Sequence, residues 1–375
     1  MPGNSGSNTI IHDGGEVMKI QMARLTPVGG PFPTVTVVVP SYNYARFLPA
    51  CVQSVLDQPA VDVRVHIIDD ASTDHTVRVC QELAAQDPRV AVTRHSVNRG
   101  HIATYNEGLA AAETDYVVLL SADDLLTPGS LHRASSLMER NPALGLVYGH
   151  PVEFTGEPPQ THSGSRTWST WRGRSWIRAQ FRRGLSIIYC PEAVVRTSVQ
   201  HQVGYYRPEL PHSGDLEMWL RIAEVSDVGR INGADQALRR AHPASMMRTQ
   251  FGTVVRDLQE RQRAYLSFLQ ASGLPRATKQ ELLELVSRRQ CEEALDWVIS
   301  QMDNPPADGS LLAAVEYAQS AYAGHRGLPL WQAYQSRTGS GCRTPVADGV
   351  LTNYGTWSRN MGNRIRWQRW RRFGI

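Results

Sequence analysis

The chain has 375 residues, of which 41% are hydrophobic, so it can bury a substantial core in one large domain with an appendage. No apolar run reaches the length of a membrane-spanning helix, and the first residues lack the basic-then-apolar order of a signal peptide. The five cysteines are scattered without a metal-ligand spacing, which indicates free thiols in a reducing compartment. Together these features predict a cytoplasmic protein.

The net charge of +4 is concentrated near the end of the sequence, since residues 355–375 contain six arginines and no acidic residue. The rest of the chain is slightly acidic, which argues against a nucleic-acid-binding body. On a helical wheel of this tail, Trp367, Trp370 and Phe373 fall in one sector, as in helices that lie on an anionic bilayer. The alternative is that these rings pack against the protein's own larger domain or a second subunit, and the sequence leaves both open.

Short apolar, β-branched runs alternate with helical patterns from residue 34 onwards. The predicted strands are residues 34–40, 63–69, 90–95, 116–120 and 144–149. Helical patterns follow Arg46, Asp74, His101 and Thr127. Strands of this hydrophobicity, alternating with helices, predict an α/β fold with a mostly parallel sheet that is covered on both faces.

Polar residues follow three of these strands, as SYN (41–43), DDAS (69–72) and SADD (121–124). Ligands of open α/β sheets bind beyond the carboxyl ends of the strands, which is where these segments fall. The adjacent carboxylates of Asp123 and Asp124 repel each other unless a cation or hydrogen-bond donors hold them. Their oxygens suit Mg²⁺ or Mn²⁺. The alternative is that the pair caps the helix that follows.

Four segments within residues 34–250 resemble the family 2 glycosyltransferases with the GT-A fold. They are VTVVVPSYNYARFLPACVQSVLDQ, VHIIDDASTDHT, NRGHIATYNEGLAAAETDYVVLLSADDLLTPGSL and HSGDLEMWLRIA. The resemblance implies a Rossmann-like sheet flanked by helices. It also implies an enzyme that transfers a hexosyl or N-acetylhexosaminyl group, with inversion, from a nucleotide-diphosphate sugar, for which a UDP-sugar is our first choice. The implied acceptor is a glycan, a lipid-linked sugar or a metabolite, and the implied cofactor is Mg²⁺ or Mn²⁺.

The resemblance also implies roles for particular residues. Those implied for the donor nucleotide and its diphosphate are Pro40, Ser41, Asp69, Asp70, Arg99 and Asp123. Asp124 is the implied metal ligand, together with His242. Asp215 takes the place of the general base, which removes the proton of the acceptor hydroxyl. Asp215 also suits the N-cap of a helix, and Glu217 is a nearby competitor for the role of base.

The segment 166–199 lies between the Asp123–Asp124 pair and Asp215, and the resemblance places it on the acceptor side. Trp171 and Trp176 are candidates for stacking on sugar rings, and His212 is a candidate for lining the acceptor site. The alternative is that the tryptophans pack against the sheet and that His212 is a surface loop residue.

The predicted organisation has four parts. They are a flexible leader (1–33), a glycosyltransferase domain (34–250), a helical appendage (251–345) and a basic, Trp-rich tail (346–375). The tail would hold the protein at the inner face of the cell membrane if it binds anionic lipid, and an oligomer is compatible with this organisation.

Two other functions compete with glycosyl transfer. A sugar-phosphate nucleotidyltransferase needs a Gly-rich, Arg-containing signature after the first strand, where this chain has PSYNYARFL. A catalytically inactive, sugar-nucleotide-binding or scaffolding protein is the remaining alternative. Retention of Asp215 beside the Asp123–Asp124 pair favours the enzyme, because binding alone does not require a base.

Overall fold

The computed structural model describes residues 9–13, 16–23, 25, 31–241 and 253–338. Two predictions fall outside the described residues: the metal-ligand role of His242 and the membrane contact of the tail 346–375. Among the residues that the structure describes, no helix combines the length and the apolar character that crossing a membrane requires.

The chain divides into two compact units. The first comprises Met1–Ile177 and Ser186–Ser245, and the second comprises Arg178–Leu185 and Met246–Ile375. The sequence predicted a boundary at residue 250. In the structure Arg178–Leu185, which precedes that boundary, groups with the second unit.

The first unit is built on one large sheet. In the described part of the chain its strands are β1 (Thr9–Asp13), β2 (Glu16–Met22), β3 (Thr34–Ser41), β4 (Asp62–Asp69), β5 (Val90–Arg94), β6 (Tyr116–Leu119), β7 (Leu125–Leu126), β8 (Leu144–Phe154), β9 (Thr167–Trp171), β10 (Val194–Arg196) and β11 (Asp227–Arg240). Their order is β1-β2-β9-β11-β8-β10-β6-β3-β4-β5, and β7 pairs with β11.

The neighbours β6, β3, β4 and β5 run parallel to one another, and β8 runs parallel to β11. The helices up to residue 225 are α1 (Leu48–Leu56), α2 (Thr76–Gln86), α3 (His101–Ala110), α4 (Ser130–Arg140), α5 (Gly173–Arg183), α6 (Thr197–Val203) and α7 (Gly214–Val225). The first four helices connect the strands predicted from the sequence. The predicted α/β fold class is confirmed.

Local sequence explains how the helices near the strand ends begin. Pro49 lies in the first turn of α1, where its missing N–H costs nothing. Asp74 accepts the backbone N–H of Thr76 at 2.9 Å, at the start of α2. Helix α3 packs closely on the sheet because Gly108 has no side chain: an added Cβ would lie 2.2 Å from Cγ1 of Val38. Helices α1, α2 and α3 follow β3, β4 and β5, so each begins beyond the carboxyl end of the strand before it.

The prediction of a flexible leader is wrong for the residues of β1 and β2. Strand β2 pairs antiparallel with β9, from Met18 opposite Trp171 to Met22 opposite Thr167. The sequence EVMKIQM mixes polar and apolar residues as a partly buried strand does, but such a strand forms only against a partner. The partner β9 lies far along the chain, in a segment whose polar and aromatic residues did not suggest a strand.

The second unit is helical in the part that the structure describes. Its helices are α8 (Val254–Ala271), α9 (Arg276–Gln301), α10 (Ser310–Ala321) and α11 (Pro329–Thr338), with a 3₁₀ turn at His325–Gly327. The two helical patterns predicted after Phe251 form α8 and α9. Leu258, Leu295, Val298 and Trp331 are among the residues of their shared core.

Candidate active site

Hydrogen bonds join the loops that follow β3 and β4. The backbone N–H of Asn43 donates to Oγ of Ser72 at 2.9 Å. Oδ1 of Asn43 accepts the backbone N–H groups of Thr73 at 2.8 Å and Asp74 at 3.2 Å. Asn43 and Ala71 have φ angles of 61° and 59°, a conformation that costs energy for residues with a side chain. The two loops are therefore fixed before any ligand arrives.

Asp70 is held in place by four donors at this edge. Oδ1 accepts Nδ1–H of His95 and the backbone N–H of Arg99, both at 2.7 Å, and Oδ2 accepts the N–H of Gly100 at 2.9 Å. Oxygen of the Asp70 backbone accepts the side-chain amide of Asn98 at 3.2 Å. Burial alone would raise the pKa of Asp70, but the hydrogen bonds from Arg99, His95 and Gly100 lower it below its usual range.

Asp69, Ser41 and Pro40 lie at the same strand ends. Asp69 and Ser41 are buried, and the backbone oxygen of Ser41 accepts the N–H of Asp70 at 2.9 Å. The residue after Ser41 is Tyr42, which is 44% exposed, so an aromatic side chain is open to solvent just beyond the end of β3. Sequence reasoning did not select Tyr42, although its position in the SYN segment was visible.

Asp123 and Asp124 are both buried, with exposures of 8% and 5%, just beyond the end of β6. Oδ1 of Asp124 accepts the backbone N–H of Arg240 at 2.8 Å, and the backbone oxygen of Asp123 accepts Nε–H of Arg240 at 3.1 Å. Burial and the neighbouring Asp123 raise the pKa of Asp124 well above its usual range. Helix α4 begins at Ser130 after Gly129, so the pair does not cap that helix.

Two adjacent buried carboxylates are a donor set that fits a divalent hard cation, which completes its shell with water and substrate phosphate. The described residues contain no group of three or more His, Cys, Asp and Glu side chains that would hold a metal by themselves. His242, which lies outside the described residues, stays the candidate for a further protein ligand of such a cation.

Asp215 lies in the first turn of α7, whose N-cap is Ser213, so the alternative reading of Asp215 as an N-cap is wrong. The first turn of a helix favours a negative charge. Oδ1 of Asp215 accepts the hydroxyl of Tyr206 at 2.6 Å. Burial raises the pKa of Asp215 to about 6, while the Tyr206 hydrogen bond and the nearby His212 and Arg239 act to lower it. A carboxylate with such a pKa is ionised at neutral pH and basic enough to accept a proton.

Tyr206 is itself fixed by backbone and side-chain contacts. The side chain of Asn106 donates to the Tyr206 backbone oxygen and accepts its N–H, both at 2.8 Å. The Tyr206 hydroxyl lies 3.8 Å from Sγ of Cys190, and that thiol donates to the backbone oxygen of Leu119 at 3.4 Å. A chain of contacts thus links the end of β6 to Asp215.

Replacing Tyr206 by Phe is expected to raise the pKa of Asp215, because the hydrogen bond that lowers it is lost. The ionised form of Asp215 would then require a higher pH, so the acidic limb of the activity profile should move to higher pH. The measurement is the pH dependence of turnover for both proteins. An unmoved acidic limb in a folded Tyr206→Phe protein would mean that Tyr206 does not act on Asp215.

Glu217, the predicted competitor for the base, is fully buried and paired with two cations. Its Oε1 lies 2.8 Å from Nε of Arg207, and its Oε2 lies 2.8 Å from Nε of Arg221. Both of its oxygens are engaged inside the protein, so the prediction that Glu217 could act on the acceptor is wrong. Its role is to hold α7 against the segment that carries Arg207.

Trp171 and Trp176 were candidates for stacking on sugar rings, but their exposures are only 3% and 2%. Both pack against Tyr148, with ring centroids 6.5 Å apart in each pair. Trp171 is part of β9, which lies between β2 and β11, so its ring belongs to the core. The acceptor-side prediction is wrong for these two residues, and the packing alternative holds.

The other predicted residues and three unpredicted ones complete the site. The guanidinium of Arg99 pairs with Glu107 at 3.1 Å, so only its backbone N–H faces Asp70. His212 lies near enough to Asp215 to lower its pKa. Sequence reasoning missed Tyr206, Glu192 and Arg239. Tyr206 lies between α6 and α7, Glu192 lies in the turn before β10, and Arg239 lies in β11. No spacing in the sequence connects them to Asp215.

Comparison with solved structures identifies the fold. S. aureus TarS 1-349 in complex with UDP-GlcNAc matches with a TM-score of 0.56 at 16% identity, over 84% of this chain and 95% of that chain. The mannosyltransferase PcManGT from Pyrobaculum calidifontis in complex with GDP-Man and Mn²⁺ matches with a TM-score of 0.51 at 19% identity, over 81% of this chain and 85% of that chain. At such low identity the likeness establishes the fold, which is the GT-A type.

Sequence comparison finds glycosyltransferases as relatives of part of the chain. Residues 36–201 match the family described as Glycosyl transferase family 2. The chondroitin synthase of Escherichia coli is 33% identical over 215 residues, which are 57% of this chain and 29% of that protein. An uncharacterized glycosyltransferase of Nostoc sp. is 33% identical over 114 residues, which are 30% of this chain and 35% of that protein. The chain thus spans about a third of the length of these relatives. The resemblance seen in the sequence is confirmed over residues 36–201.

Proposed function

We propose that the protein is an inverting glycosyltransferase that moves a sugar from a nucleotide-diphosphate sugar to an acceptor hydroxyl. The observation that carries this proposal is the pairing of a buried carboxylate couple, Asp123 and Asp124, with Asp215, whose pKa is raised to about 6. Asp123 and Asp124 could hold a cation that binds the diphosphate of the donor, and Asp215 could remove the proton of the acceptor hydroxyl. A protein that only binds nucleotide sugars needs the first feature and not the second.

The donor nucleotide is proposed to occupy the ends of β3 and β4. Asp70 is ionised and rigidly held, and its Oδ2 accepts one hydrogen bond from the protein, that of Gly100, which leaves acceptor capacity for a base or ribose. The exposed ring of Tyr42 offers a surface for the flat face of the base. Both features recognise any nucleoside, so UDP as the nucleotide rests on the family resemblance and on the UDP-GlcNAc named with TarS.

Asp124 and Asp123 are proposed to face the diphosphate, and a divalent cation held there would stabilise the negative charge of the leaving group. Asp215 accepts the proton of the attacking hydroxyl, with its carboxylate oriented by the Tyr206 hydroxyl at 2.6 Å. Partial burial of Asp215 keeps bulk water from competing for that proton. A single displacement on the face opposite the leaving group follows from this arrangement.

A screen of nucleotide-sugar hydrolysis tests the proposal, because enzymes of this kind slowly pass the sugar to water when the acceptor is missing. The protein is incubated with UDP-GlcNAc, UDP-glucose, UDP-galactose and GDP-mannose, each with Mn²⁺, with Mg²⁺ or with EDTA. Metal-dependent release of nucleoside diphosphate from at least one donor is expected. Tight binding without any release in the presence of candidate acceptors would favour the inactive, scaffolding alternative.

The product is expected to have the anomeric configuration opposite to that of the donor. One displacement assisted by Asp215 inverts the anomeric carbon, so an α-linked donor gives a β-linked product. NMR coupling constants of the anomeric proton in fresh product distinguish the two configurations. A product with retained configuration would contradict a single displacement and, with it, the proposed role of Asp215 as general base.

The proposed acceptor is a glycan, a lipid-linked sugar or a metabolite. Contact of residues 355–375 with an anionic membrane is part of the same proposal, since the acceptor of such an enzyme can be anchored in lipid. The chondroitin synthase relative gives a polysaccharide as one acceptor class to test first.

A further inference from the structure

Glu192 lies at the end of β6 although it is far from that strand in the sequence. Strand β10 runs antiparallel to β6, with Val195 opposite Val117. Glu192 itself lies in the turn just before β10, in which the N–H of Ala193 donates to the backbone oxygen of Cys190 at 2.9 Å. Sγ of Cys190 donates to the backbone oxygen of Leu119 at 3.4 Å, so this turn lies at the end of β6, beside the SADD segment.

One oxygen of Glu192 is satisfied by the protein and the other is not. The side chain is 2% exposed, and Oε1 accepts the backbone N–H of Tyr189 at 2.8 Å. Oε2 is buried and accepts no hydrogen bond from the residues that the structure describes. A buried carboxylate oxygen without a donor is costly, which favours a hydrogen bond from a bound ligand.

Glu217 shows how a buried carboxylate with a structural role is stabilised in this protein. Glu217 is equally buried, and arginines contact both of its oxygens. Glu192 has no such ion pair among the described residues, although Arg239 is near enough to act on its pKa. Burial raises the pKa of Glu192 to about 7, and the Tyr189 N–H acts against that rise.

Glu192 lies near both ends of the proposed reaction. Cys190, in the same turn, contacts the backbone oxygen of Leu119 and the hydroxyl of Tyr206, which donates to Asp215. In agreement with this placement, Glu192 raises the pKa of Asp124, and Asp215 raises the pKa of Glu192. The diphosphate is proposed to lie at Asp124 and the acceptor hydroxyl at Asp215. The sugar that is transferred must lie between these groups. A phosphate is an unsuitable partner for a carboxylate, whereas a sugar hydroxyl donates to one readily.

We propose that Oε2 of Glu192 accepts a hydrogen bond from a hydroxyl of the transferred sugar, and that Glu192 thereby sets the preference among donors. This inference rests on the proposed function, since it requires a nucleotide sugar in the site. Glu192 binds the sugar and does not take the acceptor proton, which is left to Asp215.

The test compares binding of a nucleotide with and without its sugar. Dissociation constants of UDP and GDP, and of the four nucleotide sugars named above, are measured by calorimetry with Mn²⁺. The proteins are the native chain, Glu192→Gln and Glu192→Ala, with Glu82→Gln as control, because Glu82 is exposed and pairs only with the exposed Arg78 among the contacts described. The quantity compared is the ratio of the dissociation constant of the nucleotide sugar to that of its free nucleotide.

For the donor that the native protein binds best, both Glu192 variants should raise this ratio by about 10- to 100-fold, the usual effect of losing a hydrogen bond to a charged group. Affinity for the free nucleotide should stay at the native value, as it should in Glu82→Gln. A deoxy donor that lacks the contacted hydroxyl should bind native protein and Glu192→Gln equally.

Three outcomes overturn the inference. An unchanged ratio in folded Glu192→Gln means that no sugar hydroxyl contacts Oε2. An equal loss for UDP and its sugars means that Glu192 supports the fold of the nucleotide site. Absence of nucleotide-sugar binding by the native protein removes the proposed function itself, and this result is distinct because it is seen before any Glu192 variant is made.

Discussion

Replacing Asp215 by Asn is expected to lower turnover by about 10²- to 10⁴-fold, the range for the loss of a general base. Asn keeps the volume of the side chain and can still accept the hydroxyl of Tyr206, so the local geometry should survive. Donor affinity should stay close to the native value, because the nucleotide is proposed to lie at the ends of β3 and β4. Steady-state rates at saturating donor, together with calorimetric donor affinities, measure both effects.

Glu217→Gln is the matched comparison, because it removes a carboxylate two residues further along the same helix. Breaking a buried ion pair costs stability, on the order of 3–5 kcal/mol. We therefore expect a lower melting temperature for this variant and, at a temperature where it is folded, a nearly native rate per folded molecule. A severe rate loss in Glu217→Gln, together with a mild one in Asp215→Asn, would mean that the base is Glu217 and not Asp215.

The half of the sheet that carries the nucleotide site could be predicted from the sequence. Strands β3, β4 and β6 are apolar, β-branched runs, and the helices between them have clear apolar periodicity. Parallel strands place their carboxyl ends at one edge, so the positions of Asp70 and Asp124 followed from the strand pattern alone. Local propensity and tertiary structure agree in this region, which is why the prediction succeeded.

The other half, apart from β8, could not be predicted, because its strands are stabilised by partners that are distant in the sequence. Strand β11 contains Asn232 and Asp235, which disfavour strands when judged locally. In the structure the side chain of Asn232 donates to Oγ of Ser169 at 2.8 Å, and Oδ2 of Asp235 accepts the backbone N–H of His162 at 2.8 Å. Both partners lie more than sixty residues away in the sequence. Polar residues that find such partners no longer oppose strand formation.

The residues around Asp215 were missed for a related reason. Tyr206 is nine residues before Asp215 and reaches it only because Asn106, on α3, fixes the backbone of Tyr206. Glu192 reaches the same region through the pairing of β10 with β6. Neither contact follows a helical or strand period, so a sequence pattern cannot reveal it. The opposite error was made for the tryptophans of the segment 166–199, which were predicted to line the site but are buried. Tryptophans that alternate with arginines resemble a sugar-binding surface, and only the structure shows that the strand β9 is internal.

Asp124→Asn is expected to abolish measurable turnover, with a loss of at least about 10³-fold if the carboxylate helps to stabilise the leaving diphosphate. The fold should not suffer. Burial and Asp123 raise the pKa of Asp124, and a carboxyl whose pKa is higher in the folded than in the unfolded state costs stability at neutral pH. Asn removes that cost and keeps an oxygen for the N–H of Arg240, so the melting temperature without ligand should be equal or higher.

Thermal shifts separate a metal role from a purely electrostatic one. A ligand that binds only the folded state raises the melting temperature according to its concentration and affinity. Mn²⁺ with UDP should therefore stabilise the native protein more than UDP alone does. This metal-dependent increment should be absent in Asp124→Asn and present in Asp215→Asn, which keeps the Asp123–Asp124 pair intact. Full activity of the native protein in EDTA, or an equal metal-dependent increment in Asp124→Asn, would show that the pair serves the donor without a cation.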